Sequence, residues 1–210
     1  MSILEDYSKT FISYIKIFVA LVVCFAVISC SQAQQTVAKK QVLIVYLSRT
    51  GNTKAIADII QKQVGGDMVA IELQTPYPSD YQKTVQQVAH ENETGYLPPL
   101  KTSIDSIGKY DIVFIGFPTW GMKMPPPMKS FLHQYDMSGK TIIPFNTNAG
   151  YGVGTGFETV KELSPNSTIP KGFVMEGGEE REGKMLVIQG KKAMDAETKV
   201  KEWLKEIKVL

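Results

Sequence analysis

Residues 41–53, QVLIVYLSRTGNT, decide how this chain folds. Gln41–Leu47 is almost wholly apolar and rich in β-branched residues, as in a short strand buried on both faces of a parallel sheet. It runs straight into Thr50-Gly51-Asn52-Thr53, after which Ala55, Ile56, Ile59 and Ile60 recur at helical spacing. A strand, a glycine turn and a helix in that order put a helix N-terminus at the strand's carboxyl end. Free N–H groups and the helix dipole there favour a phosphate dianion. Ser48, Thr50 and Thr53 add hydroxyls, Asn52 an amide and Arg49 a cation, and Gly51 lets the backbone pass close to a ligand. No Gly-Lys-Ser/Thr follows, which argues against nucleoside triphosphate chemistry.

The rest of the chain repeats the alternation. Met68–Leu73 reads as a second strand, Asp111–Gly116 as a third and Thr141–Phe145 as a fourth, with short strand-like runs at Gly172–Met175 and Met185–Ile188. Between them lie helical patterns at Tyr81–His90, after Pro125-Pro126-Pro127, at Phe157–Leu163 and at Ala193–Ile207. Proline can begin but not continue the second of these. The pattern predicts one doubly wound α/β domain over residues 41–210, with helices on both faces of a parallel sheet. Ligands of such sheets bind beyond the carboxyl ends of the strands. Three loops sit there: Ser48–Thr53, Phe117–Gly121 and the glycine-rich Asn146–Gly156.

Composition narrows the possibilities. Net charge is +2 with acids and bases interleaved, so nothing forms the basic footprint of a nucleic-acid binder. Both cysteines, Cys24 and Cys30, precede the domain, which leaves it without a disulfide or a cysteine nucleophile. His90 and His133 stand alone, too few for a zinc site. No Gly-x-Ser-x-Gly elbow supports a hydrolase.

Ile17–Ile28 (IFVALVVCFAVI) has twelve residues without a charge. That is short of the ~20 needed to span a bilayer, but suits the apolar core of a secretory signal. Val27-Ile28-Ser29-Cys30 resembles the lipobox of bacterial lipoproteins. The resemblance implies a signal peptide at residues 1–29 and lipidation of Cys30, with 30–40 as a polar tether. An uncleaved anchor starting near Phe11 is the competing reading. Glu5 and Asp6 make the extreme N-terminus less basic than is usual for such signals. The expected location is the cell envelope of a bacterium, with the domain lipid-anchored to a membrane after export.

The motif Ser-x-Thr-Gly-Asn-Thr after a first strand resembles the FMN phosphate loop of flavodoxins, and it matches at Ser48–Thr53 without a gap. The second loop is similar too. The resemblance implies a five-stranded parallel sheet of order 2-1-3-4-5, with FMN as cofactor. It further implies that Pro118, Thr119, Trp120, Gly121 and Met122 border the flavin. Trp120 would stack on the ring, and the Gly121 peptide would turn over to meet its N5. In the third loop, Asn146, Thr147, Asn148, Gly150, Tyr151 and Gly152 would line the pyrimidine edge, with Tyr151 over the outer face. A dinucleotide fingerprint is rejected for these glycines because they follow the fourth strand rather than the first.

The expected function is electron transfer at a membrane surface, between FMN and a redox partner protein or a small-molecule acceptor, without a catalytic acid or base. The alternative is an FMN-dependent reductase passing electrons from NAD(P)H to a quinone or another small acceptor. A scaffold that has lost its flavin is disfavoured by the intact first loop. Lys123 stands where flavodoxins commonly carry acids. That suggests a less negative potential for the fully reduced flavin.

Overall fold

The computed structural model describes residues 40–210; residues 1–39, with Cys30 and almost all of the tether, lie outside them. Five strands alternate with five α-helices: β1 (Val42–Tyr46), α1 (Asn52–Val64), β2 (Asp67–Ala70), α2 (Tyr81–Thr94), β3 (Ile112–Pro118), α3 (Pro126–Gln134), β4 (Thr141–Asn148), α4 (Gly156–Leu163), β5 (Phe173–Glu176) and α5 (Gly190–Glu206). All strand pairs are parallel, and the order is β2-β1-β3-β4-β5. The expected fold and strand order are therefore both present. The order reverses between β1 and β3, and their carboxyl ends form the switch point at which such sheets open a crevice.

Two apolar cores cover the two faces. Ile44, Phe114 and Phe145 pack with α1 and α5 on one side, while Leu43, Val45, Val113 and Ile115 pack with α3 and α4 on the other. Every residue of β1 is buried, which is why its sequence does not alternate. Edge strand β5 alternates buried and exposed instead. At Gly116 a Cβ would collide with the Phe145 ring, so the glycine is what brings the end of β3 against β4.

The helix ends follow local chemistry. Asp80 caps α2 by accepting from the Lys83 N–H at 2.8 Å, and Gly95 closes it in the left-handed region at φ 69°. This helix runs four residues beyond the expected His90. β2 stops at Ala70 because the Glu72 N–H donates to the Thr102 hydroxyl at 2.7 Å.

One expected strand is absent. Met185–Ile188 has no sheet partner; the N–H groups of Val187 and Ile188 donate instead to the Asn52 side-chain oxygen at 3.0 and 3.2 Å. A side chain takes the place of a neighbouring strand. Among the described residues no helix is long and apolar enough to cross a membrane.

Candidate functional site

The Ser48–Thr53 turn is built by Gly51, whose φ of 85° turns the chain from β1 into α1. Among the described residues, the N–H groups of Thr50, Gly51, Asn52 and Thr53 have no acceptor. Four donors converging at a helix start with nothing to donate to form an anion cradle. The hydroxyls complete it. Ser48 Oγ accepts from the Lys54 N–H at 3.2 Å and Thr50 Oγ1 from the Asn52 amide at 2.8 Å, so each keeps its own proton to donate. Thr53 Oγ1 shares a hydrogen bond of 2.8 Å with Thr147 Oγ1 at the end of β4.

Two residues of this turn do other work. The Asn52 amide is 2% exposed and saturated: Nδ2 donates to Thr50 Oγ1 and, at 2.7 Å, to the Met185 carbonyl, while Oδ1 receives two backbone N–H groups. Arg49 donates through Nε to both carboxylate oxygens of Glu180 at 2.8 Å, and its other nitrogens reach the Pro78 and Ser79 carbonyls at 3.1 and 3.0 Å. Arg49 is thus a clamp between three loops.

The second loop is a two-residue hairpin. Trp120 and Lys123 exchange N–H···O bonds of 3.1 and 3.0 Å, and the residues between them, Gly121 and Met122, have φ of 56° and 59°. Positive φ at both central positions defines a type I′ turn. Rotating the peptide between them gives type II′, which exchanges the directions of the Gly121 carbonyl and the Met122 N–H and returns Met122 to negative φ. Trp120 is fixed edge-on against Tyr77, with ring centroids 5.6 Å apart at 76°. The Tyr77 hydroxyl donates to Glu91, a carboxylate only 3% exposed that also accepts from Gln87 at 2.8 Å. Burial and then Glu91 push the Tyr77 phenol far above its ordinary pKa, so it remains a donor.

The third region differs from expectation in its start. Asn146, Thr147 and Asn148 are the last residues of β4 rather than loop residues, because the β3–β4 and β4–β5 ladders continue through them. The Asn146 amide binds the Phe117 carbonyl at 2.9 Å and the Thr119 hydroxyl at 3.1 Å. Asn148 Oδ1 accepts from the Gly150 and Gly152 N–H groups at 2.9 and 3.0 Å and so shapes the loop from within. Tyr151 is 63% exposed and donates to Glu179 at 3.1 Å, and this carboxylate holds its phenol above the usual range. Gly154 presses on the hairpin, where a Cβ would collide with the Met122 carbonyl.

Together these elements line a cleft of about 450 Å³. Arg49, Thr50, Asn52 and Thr53 border it from the first turn, Pro118–Met122 from the second loop, and Thr147, Asn148 and Tyr151 from the third. Ser48, Gly51, Asn146, Gly150 and Gly152 are not on its lining. One contributor was missed by the sequence reasoning, the segment Gly177–Arg181 that follows β5. Its signal was available: a Gly-Gly pair at the carboxyl end of a parallel strand obeys the rule that singled out the other loops. This segment brings two acids to the cleft, each paired, Glu180 with Arg49 and Glu179 with Arg181 at 3.2 Å. Lys123 lies apart, in a neighbouring groove.

A family model described as flavodoxin matches residues 41–207. A flavodoxin of Synechocystis sp. is 25% identical over 184 residues, covering 79% of this chain and 94% of that protein. Among solved structures, a flavoprotein of Bacteroides eggerthii superposes with a TM-score of 0.65 at 28% identity, over 81% of this chain and 99% of that one. A flavoprotein of Lactobacillus acidophilus, solved in complex with FMN, shares the fold with a TM-score of 0.57 at 23% identity, over 65% and 93% of the two chains. The first turn, the strand order and the family match agree: this chain belongs to the flavodoxin family.

Proposed function

We propose that the cleft binds FMN and that the protein carries electrons between redox partners at a membrane surface. The observation that carries this is the cradle of four acceptorless N–H groups at Thr50–Thr53, with the Ser48 and Thr50 hydroxyl protons beside it. Those groups would hold the phosphate, while Trp120 and Tyr151 would border the ring. Bound there, FMN would supply one- and two-electron chemistry. The residues' part is to bind, orient and shield. The Gly121–Met122 peptide presents either a carbonyl or an N–H to the ligand according to its turn type, so it can respond to a proton gained or lost there. The paired carboxylates Glu179 and Glu180 leave the cleft near neutrality, which fits a potential less negative than an unpaired acidic rim would give.

Titration of the purified full chain with FMN, followed by quenching of flavin fluorescence, tests the assignment. Saturation at one FMN per chain supports it; undiminished fluorescence rejects it. Lipidation of Cys30 and export belong to the same proposal, supported by the lipobox-like Val27–Cys30 and the polar tether. Incorporation of radiolabelled palmitate by the wild-type chain, lost in Cys30→Ser, is the expected result.

A second reading, an NAD(P)H-dependent reductase of quinones or other small acceptors, is favoured by the groove that adjoins the cleft at Trp120. Stopped-flow mixing of the FMN-loaded protein with NADH or NADPH separates the two. Rapid bleaching of the flavin means reductase, and a slow or absent response means carrier.

A further inference from the structure

Beside the flavin cleft lies a second groove of about 340 Å³, between α2 and the Trp120–Lys123 hairpin. Its size falls at the lower end of the range for small-molecule sites. Arg49, Tyr81, Thr119, Trp120, Gly121 and Glu180 border both spaces, so an occupant of one lies against the wall of the other. None of the expected phosphate-binding groups other than Arg49 reaches it, and the Arg49 guanidinium is already committed.

The lining combines apolar side chains with one cation outside any ion pair. Val85, 42% exposed on a surface helix, faces the groove with Val88, Ala89 and the Trp120 indole. Aliphatic side chains and an indole on one groove suit a flat ring system, which can stack on the indole and rest on the aliphatic carbons. Lys123, on the same lining, has no carboxylate within ion-pair distance among the described residues, although nine other ion pairs form. A second ammonium stands close by. Lys129 donates to Asn92 Oδ1 at 2.8 Å, and burial together with the charge of Lys123 draws it below the usual lysine range. Glu93 is the one other charged side chain of the lining outside those ion pairs. Lys123 on the lining, with the Lys129 ammonium near it, outweighs that single carboxylate and complements an anion on a flat apolar body.

We propose that this groove is a second ligand site, which receives a planar quinone carrying an anionic substituent, its ring between Val85 and Trp120 and its anion toward Lys123. The aromatic anion follows from the lining; the quinone class rests on the FMN reading, because an acceptor against the flavin's wall is one that can take its electrons.

Equilibrium dialysis of the full chain against anthraquinone-2-sulfonate, with and without FMN, tests this. Saturable binding of one quinone per chain is expected in both conditions. Lys123→Gln should weaken it about tenfold, the loss of one charge-assisted contact. Val85→Glu, a change at a half-exposed position that the fold tolerates, should weaken it more than Lys123→Gln by setting a like charge on the lining. Both variants should bind FMN within twofold of the parent, which shows that they are folded. Absence of saturable binding overturns the proposal, as does binding that both variants leave unchanged, or a quinone fully displaced by FMN. Failure of the FMN reading is distinct: the chain would then ignore FMN yet still bind the quinone in a manner sensitive to both substitutions.

Discussion

The Ser48–Thr53 turn and the Gly177–Ile188 segment meet at one cleft, but their geometry has different origins. The first is contiguous and largely self-made: a left-handed glycine, a helix start and hydroxyls a few residues apart create the cradle. The second has no regular element beyond one short turn at Glu180–Glu182, and it is held by partners more than 130 residues away in the chain. Those partners are Arg49 and Asn52, members of the first turn itself. The contiguous region therefore has two duties, offering donors to a ligand and pinning the distant segment in place. A motif that matches its family residue for residue need not use each residue as a ligand.

This contrast can be broken from its weak side first. Gly178 is where the distant segment folds back, and a Cβ there would collide with the Met185 and Lys184 carbonyls. Gly178→Ala should cost ~3 kcal/mol of stability in urea unfolding, the cost of backbone displaced against backbone. An unchanged midpoint would mean the segment repacks freely. Asn52→Ala removes a buried amide with four partners and should cost ~2 kcal/mol or more, since it leaves the Val187 and Ile188 N–H groups without an acceptor. Proteolysis should then cut near Met185 in the variant and not in the parent.

Arg49→Met should cost ~2 kcal/mol, because it leaves the mostly buried Glu180 carboxylate, 17% exposed, without its partner. Addition of salt should narrow the gap between parent and variant. Met122→Gly should have the smallest effect and the opposite sign. It relieves a left-handed non-glycine residue, but gives back part of the gain as chain entropy, leaving ~0.5 kcal/mol of added stability. A loss of stability would show that the Met122 side chain contributes more than its backbone strain costs.

Much of the fold was legible because β1, β3 and the Ile142–Phe145 part of β4 are buried and read as apolar runs. The first turn was legible because its information is local. Met185–Ile188 misled because a short apolar run looks the same whether its backbone pairs with a strand or with the Asn52 amide. The extent of β4 misled in the other direction. Asn146–Asn148 has the composition of a loop, but its polar side chains are satisfied inside the sheet end by one another and by the Phe117 carbonyl. The post-β5 segment escaped notice because its charges resemble a solvated surface until Arg49 is seen to meet them.

The commitment of Arg49 has a further consequence. With its guanidinium spent on Glu180 and two carbonyls, a phosphate in the cradle would be held by neutral N–H and O–H donors and a helix dipole, not by a formal positive charge. Attraction of that kind falls off within the first turn of the helix, and at contact distance in a partly buried site it is screened less than a long-range attraction between exposed charges. Affinity at this site should therefore change little with ionic strength, and selection among phosphates should rest on the fit of their oxygens to fixed donors.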